Sequence, residues 1–113
     1  MSTDCLFCKI VAGEIPGDVV ARTDRVVAFR DVSPVAPTHV LVVPVEHLQD
    51  VGAVAAFGQG LLEEMAQVAA EVGMNADPDG WRWVFNTGRR SGQAVFHVHG
   101  HVLAGRDFGW PPG

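Results

Sequence analysis

The sequence has no apolar run approaching the roughly 18–20 residues a membrane-crossing helix needs, so no bilayer span is expected. Its start, Met1-Ser2-Thr3-Asp4-Cys5, has no basic stretch followed by an apolar one, and so does not read as a signal peptide. Basic residues are scarce. Lys and Arg together number 8 against 13 Asp and Glu, a formal net charge of −5. A chain this acidic lacks the electrostatic footprint of a general nucleic-acid binder. Cysteine is nearly absent too: Cys5 and Cys8 are the only two. Three positions apart and with no secretion signal, they point to the reducing cytoplasm, and to metal or redox chemistry before a disulfide framework. No repeat, low-complexity tract or linker divides the 113 residues. A single domain spanning 1–113 is expected, and 48% hydrophobic residues suffice for a core, which excludes disorder.

Apolar residues from Leu6 to Val11 predict one or two helical turns. Proline and glycine at Pro16 and Gly17 supply turn chemistry. Residues 18–21 and 25–32 predict a hairpin around a tight Thr23-Asp24 turn. The run Ser33-Pro34-Val35-Ala36-Pro37 interrupts regular structure, because a residue before proline is pushed out of the helical region. A β-branched, apolar strand follows over 38–43. Leu61, Met65, Val68 and Val72 recur at helical spacing, with Leu62 and Ala69 widening the stripe. Gly73 or Asn75 is expected to end this helix. Its start is not fixed, because Gly52, Gly58 and Gly60 each weaken a helix interior by about 1 kcal/mol relative to Ala. Residues 81–85 and 95–103 add two strands joined by a loop over 86–93. The sum is an α+β fold: a five-stranded antiparallel sheet, one long helix and a short N-terminal helix. So small a sheet leaves an edge exposed, and dimerisation is the economical cover.

The segment with most chemical content is Phe96-His97-Val98-His99-Gly100-His101-Val102-Leu103. Strand side chains alternate, so His97, His99 and His101 share one face, while Phe96, Val98 and Val102 point into a helix-covered core. Three readings of that face stand: a merely solvated strand, a catalytic zinc with an open position, or an imidazole nucleophile flanked by donors to an anion. Imidazole suits the last, since its neutral form attacks phosphorus near pH 7 and the bond it forms is labile to water. Cys5-Leu6-Phe7-Cys8 reads as half of a zinc site or as two buried thiols; a thioredoxin-like motif lacks its strand-then-helix context. The loop Gly88-Arg89-Arg90-Ser91-Gly92 is not a P-loop, and a solvated hairpin turn is its plainer reading.

His97-Val98-His99-Gly100-His101-Val102-Leu103 resembles the motif of the histidine triad (HIT) family, three histidines alternating with apolar residues. The likeness continues in Phe29-Arg30-Asp31-Val32-Ser33-Pro34-Val35-Ala36-Pro37-Thr38-His39-Val40-Leu41-Val42-Val43-Pro44 and in Gly92-Gln93-Ala94-Val95. The tail Gly105-Arg106-Asp107-Phe108-Gly109-Trp110-Pro111-Pro112-Gly113 resembles that of the Hint branch. The resemblance implies a purine nucleoside phosphoramidate hydrolase with His99 as nucleophile, His101 on the phosphate, and His39 and His97 beside them. Asp31 would take the ribose hydroxyls. Leu6, Phe7, Ile10, Phe29 and Val32 would wall the base pocket, and Asn86, Gln93 and Ala94 would lie at the phosphate and leaving group. It also implies a structural zinc on Cys5, Cys8, His47 and His97, and no organic cofactor. A homodimer with a continuous sheet would bring Trp110 to the partner's pocket. Dinucleoside polyphosphate hydrolysis and nucleotide binding with little turnover are the alternatives. Two positions depart from the family pattern: Ala94 stands where a Ser or Thr is usual, and Gly100 where a bulky apolar residue is.

Overall fold

The structure, a computed structural model, describes residues 5–113; Met1 to Asp4, part of the stretch read above as no signal peptide, lie outside the described residues. In chain order the elements are α1 (Leu6–Val11), β1 (Val19–Arg22), β2 (Val26–Arg30), β3 (Thr38–Pro44), α2 (Val51–Phe57), α3 (Leu61–Ala76), β4 (Trp81–Val84) and β5 (Gly100–Ala104), with one 3₁₀ turn at Arg89–Ser91. The sheet order is β1-β2-β3-β5-β4 and every pairing is antiparallel. The expected α+β layout with five strands is therefore present. Among the described residues no helix is long and apolar enough to cross a membrane.

Both faces of the sheet centre are covered, which explains why β2 and β3 read as continuous apolar runs. Val26, Ala28, Val40 and Val42 face α3 and pack with Val54, Leu61, Met65, Val68, Ala69, Val98 and Val102. Val27, Phe29, Leu41 and Val43 face the opposite way and pack with Cys5, Phe7 and Val11 around α1. The first face holds the fold together. The second carries the histidines.

The structure corrects the expected boundaries in several places. A second helix, α2, precedes the long one, capped by the Asp50 carboxylate on the Ala53 N–H at 2.9 Å. Gly58, Gln59 and Gly60 then take φ of 70°, 59° and 73°, which breaks the helix and fixes the start of α3. The long helix does not end at Gly73 or Asn75 but runs to Ala76. Gly73 is a close-approach glycine, because a Cβ there would overlap the Trp81 indole, with Cγ at 2.6 Å. Strand β2 stops at Arg30, leaving Val32 98% exposed. Strand β4 ends at Val84, and Phe85 turns its ring onto Trp83. Last, β5 begins at Gly100, so residues 95–99 approach the sheet irregularly. Their path is set by the Val98 N–H donating to the Leu48 carbonyl at 2.7 Å. Phe96 is accordingly not a core residue; it is 38% exposed.

Gly100 has the same role as Gly73. A Cβ on it would meet Trp83 Cε2 and Phe85 Cζ, each at 2.8 Å. The missing side chain in the triad segment is thus filled from β4. Gly73→Ala should destabilise the protein by about 1–3 kcal/mol through overpacking, even though alanine is the better helix former by about 1 kcal/mol. Gly100→Ala should do the same without that offset. Urea midpoints decide it: a gain in stability for Gly73→Ala would mean Trp81 does not need the space.

Candidate active site

His39 comes from β3 and His101 from β5, cross-strand neighbours with ring centroids 5.2 Å apart. His97 and His99 come from the irregular approach to β5 and flank Phe7 of α1, at centroid distances of 6.2 Å and 5.0 Å. The one-face alignment expected from alternation therefore holds, although only His101 lies within a strand.

A neutral imidazole has one N–H and one lone pair, and the main chain fixes which nitrogen carries which. His99 Nδ1 lies 2.9 Å from the carbonyl of His97. A carbonyl only accepts, so Nδ1 holds the hydrogen and Nε2 of the neutral ring keeps its lone pair. His97 Nε2 donates in the same way to the Pro44 carbonyl at 2.8 Å, which leaves the lone pair on Nδ1. His39 is set in the opposite sense: its Nδ1 accepts from the Val35 N–H at 3.2 Å, so Nε2 carries the hydrogen. That hydrogen points to His101 Nδ1 at 2.9 Å. His101 must then hold its own hydrogen on Nε2, and Nε2 is buried with no partner among the described residues. The site therefore presents a lone pair on His99 and an unclaimed N–H on His101, in rings 4.9 Å apart.

Burial, reinforced by His99 and His39 nearby, pushes the His101 pKa down to about 4. Burial also lowers His39, with the Asp31 carboxylate partly opposing it. His97 is lowered by burial as well, against the pull of its Pro44 hydrogen bond.

Beside the histidines lies an apolar cavity of about 850 Å³. Leu6, Phe7, Ile10, Phe29, Asp31 and Val32, all named from the sequence, line it. Ile15, Pro16, Leu41 and Val95 line it too and were not foreseen. Asp31 Oδ1 accepts the Ser33 N–H at 2.7 Å, while Oδ2 lies 3.5 Å from His39 Nε2. Its turn role and its place at the cavity coexist.

Four named residues stand elsewhere. Gln93 is buried and fully engaged, accepting from the Gly88 N–H and donating to the carbonyls of Gln49 and Val95. It shapes the loop. Asn86 is half-buried and is not among the cavity residues. Trp110 is 84% exposed on the tail. Ala94 is exposed and lines a separate hollow of about 330 Å³ with Cys5, His47 and His97. In the 88–92 loop the N–H groups of Ser91 and Gly92 are used internally, as is that of Gly88, so a solvated turn is the structure it has.

Among the described residues, two groups of side chains have the donors for a metal ion. In the first, Cys5, Cys8, His47 and His97 bring their ligand atoms within 4.8 Å of one another. Cys8 Sγ lies 3.2 Å from His47 Nδ1 and 3.4 Å from His97 Nδ1, and Cys5 Sγ lies 3.3 Å from the latter. Tetrahedral zinc with usual bond lengths separates sulfur and nitrogen ligands by roughly 3.5 Å. His97 turns its lone pair toward the sulfurs, and the Cys8 N–H already donates to Cys5 Sγ. Burial and the neighbouring Cys5 push the Cys8 pKa up to about 11, a penalty on its thiolate that a dication would offset. The donors fit a metal. The second group, Asp31, His39 and His101, does not: the His39 Nδ1 lone pair is taken by Val35 and its Nε2 proton is shared with His101. A proton occupies the place a cation would need.

A histidine whose folded pKa is depressed stabilises the protein above its unfolded pKa, near 6.5. That contribution is lost as the pH falls toward about 4, because the unfolded chain takes the proton first. Urea midpoints measured across this window should fall less steeply for His101→Gln than for the wild type. Carboxylate titration is common to both, so equal slopes would refute the assignment.

A model of the HIT domain family matches residues 12–108. The chain is 42% identical over 111 residues to the purine nucleoside phosphoramidase of Escherichia coli K12, covering 96% of this chain and 93% of that one. It is 43% identical to an uncharacterized HIT-like protein of Synechococcus elongatus, with all of both chains covered. Among solved structures, a HIT family hydrolase from Legionella pneumophila superposes with a TM-score of 0.91 at 41% identity, over 97% of this chain and all of that one. A histidine triad protein from Clostridium difficile does so at 0.89 and 38%, over 96% of each. Matched along nearly its whole length in both sequence and backbone, the chain belongs to the HIT domain family.

Proposed function

We propose that the protein hydrolyses nucleoside 5′-phosphoramidates through a covalent nucleotidyl-histidine on His99. The observation that carries this reading is the pairing of tautomers: a lone pair on His99 Nε2 beside an unpartnered N–H on His101 Nε2. The first can attack phosphorus; the second can hold a phosphate oxygen. As the Nε2–P bond forms, the P–N bond to the amine breaks and the amine leaves with a proton taken from solvent, which the hydrolytic water later gives back. Water then cleaves the Nε2–P bond and releases the nucleoside monophosphate. The base would occupy the apolar cavity, with the ribose hydroxyls on the Asp31 carboxylate at its edge. The name of the Escherichia coli relative supports purine phosphoramidates as the substrate class.

Ala94 favours a second reading, in which nucleotide is bound with little turnover. It is exposed and offers no hydroxyl, and a donor missing from the transition state costs on the order of 10²-fold or more. Nucleotide release from adenosine 5′-phosphoramidate, set against release from diadenosine polyphosphates, separates these readings and the polyphosphate alternative. His99→Ala should abolish turnover while nucleotide affinity stays within about tenfold. Substantial hydrolysis by that variant would remove His99 as nucleophile.

We further assign a structural zinc to Cys5, Cys8, His47 and His97. When bound it would tie α1 to the approach to β5, with no open coordination position for chemistry. Two thiols kept reduced to hold a metal fit a cytoplasmic protein. Protein purified without chelators should carry one zinc per chain, and Cys5→Ser should lower thermal stability more than it lowers the chemical rate. A metal-free preparation of full stability would reduce the pair to core residues.

The unpaired edge of β4 and the exposed Trp110 are the features a homodimer would cover. On this proposal two sheets join at an edge and Trp110 acts at the partner's pocket. Mixing a Trp110→Ala chain with a His99→Ala chain should then restore the wild-type choice of amine in the heterodimer. Its absence after proven subunit exchange would sink the arrangement.

A further inference from the structure

The hydrogen-bond direction between His39 and His101 is a choice, not a given. The two tautomers of a neutral imidazole are close in energy, and an N···N pair at 2.9 Å can be bridged from either side. Were the hydrogen to sit on His39 Nδ1, its Nε2 would accept. His101 would then donate from Nδ1 and leave a lone pair on Nε2, where the proposed chemistry needs an N–H. What prevents this reversal is the Val35 N–H on His39 Nδ1. The Asp31 Oδ2 atom biases the pair the same way, but at 3.5 Å it lies at the far limit of direct hydrogen bonding.

Val35 lies in an exposed loop between Pro34 and Pro37, neither of which has an N–H to anchor it. Beyond the Ser33 N–H on Asp31, the loop is held from the C-terminal tail. Arg106 Nε donates to the Val35 carbonyl at 3.2 Å. Its guanidinium lies 4.3 Å from the centre of the Phe108 ring, and that of Arg82, from β4, packs at 5.3 Å against the same ring. Arg82 also donates to the Gly109 carbonyl. Gly105, at φ 98°, lets the tail turn against Pro37 with no room for a side chain, since a Cβ would meet Pro37 Cβ at 2.8 Å. The tail, the proline loop and the histidine pair form one continuous series of contacts.

We propose that Arg106, held by Phe108, is a positioning residue: by fixing Val35 it sets the direction of the His39–His101 hydrogen bond and keeps an N–H on His101 Nε2. That this N–H serves a phosphate rests on the hydrolase reading above; the direction of the bond does not. Arg106 itself touches neither histidine. Its positive charge also offers a competing role, long-range attraction of an anionic substrate, and the test has to separate the two.

The direct readout is the protonation of each ring nitrogen, seen in long-range ¹⁵N–¹H correlation spectra of the full chain above pH 7. In the wild type, Nδ1 of both His39 and His101 should be unprotonated and Nε2 protonated. In Arg106→Ala the two nitrogens of His101 should shift toward one another as the reversed arrangement becomes populated. Phe108→Leu keeps the Arg106 charge and its hydrogen-bonding atoms and removes only the ring that holds them, so it should move the same nitrogens in the same direction. With adenosine 5′-phosphoramidate, both variants should lose about tenfold or more in kcat, with KM within about twofold, as expected when a transition-state donor is disordered. Ring nitrogens identical to the wild type in both variants would overturn the proposal, whatever happens to the rate. A shift in Arg106→Ala with none in Phe108→Leu would overturn the clamp. A wild type that turns over no phosphoramidate would count against the hydrolase reading alone, because the nitrogen spectra judge the bond direction without it.

Discussion

Everything at this site depends on one constraint: a neutral imidazole cannot donate from both nitrogens, so whatever claims one nitrogen dictates the other. The main chain makes that claim three times. The carbonyl of His97 takes the hydrogen of His99, the carbonyl of Pro44 takes that of His97, and the N–H of Val35 takes the lone pair of His39. From these bonds follow the free lone pair of His99, the lone pair that His97 turns toward the cysteine sulfurs and, one ring further on, the free N–H of His101. The side chains are the chemistry, but the backbone sets its sign.

The backbone can do this because the two faces of the sheet have separate duties. Against α3 the packing is apolar and close, down to the two places where an indole lies on a glycine, Trp81 on Gly73 and Trp83 on Gly100. That face keeps β3 and β5 in register, pairing Leu41 with His101 and His39 with Leu103. Against α1 the layer is thinner, and α1 itself has only six residues. A helix that short is marginal by itself. Its first turn is tied down by Cys5 and Cys8 facing His47 and His97, and Phe7 then packs edge-on to His97 and His99. A metal at that cluster would act on the site by fixing this thin layer.

How far the sequence told this in advance follows the range of each signal. Three histidines at alternate positions, a β-branched run and an amphipathic stripe are local patterns, and the strands, the long helix and the triad face were legible from them. The apolar cavity was legible only through family resemblance, since Leu6 or Phe29 alone is indistinguishable from core. What failed was non-local. Gly73 looks like a terminator until Trp81 is known to rest on it, and alternation over 95–99 looks like strand although the Leu48 carbonyl diverts the chain at Val98. Nor does the sequence show that the Gln93 amide bonds three main-chain groups, at Gly88, Gln49 and Val95. Val35 gave no signal: a valine between prolines acts through its peptide groups, which every residue has.

The electrostatic setting decides how such a site can hold an anion. The chain carries a net charge of −5, and burial lowers the pKa of His39 and, to about 4, that of His101, which favours their neutral rings. On the proposed reading a phosphate therefore meets N–H dipoles, without a fixed positive charge from these two rings. Neutral donors in a partly desolvated site are worth less to a ground-state dianion, which must shed much water to enter, than to a transition state whose developing charge falls where the donors already point. A phosphoramidate diester-like group with one negative charge loses less on entry than a terminal phosphate with nearly two. Affinity must then come from the nucleoside end, where the apolar cavity beside Phe7 and Phe29 removes surface from water and the Asp31 carboxylate offers acceptors to hydroxyls. That division favours a substrate defined by its nucleoside and by a singly charged phosphorus.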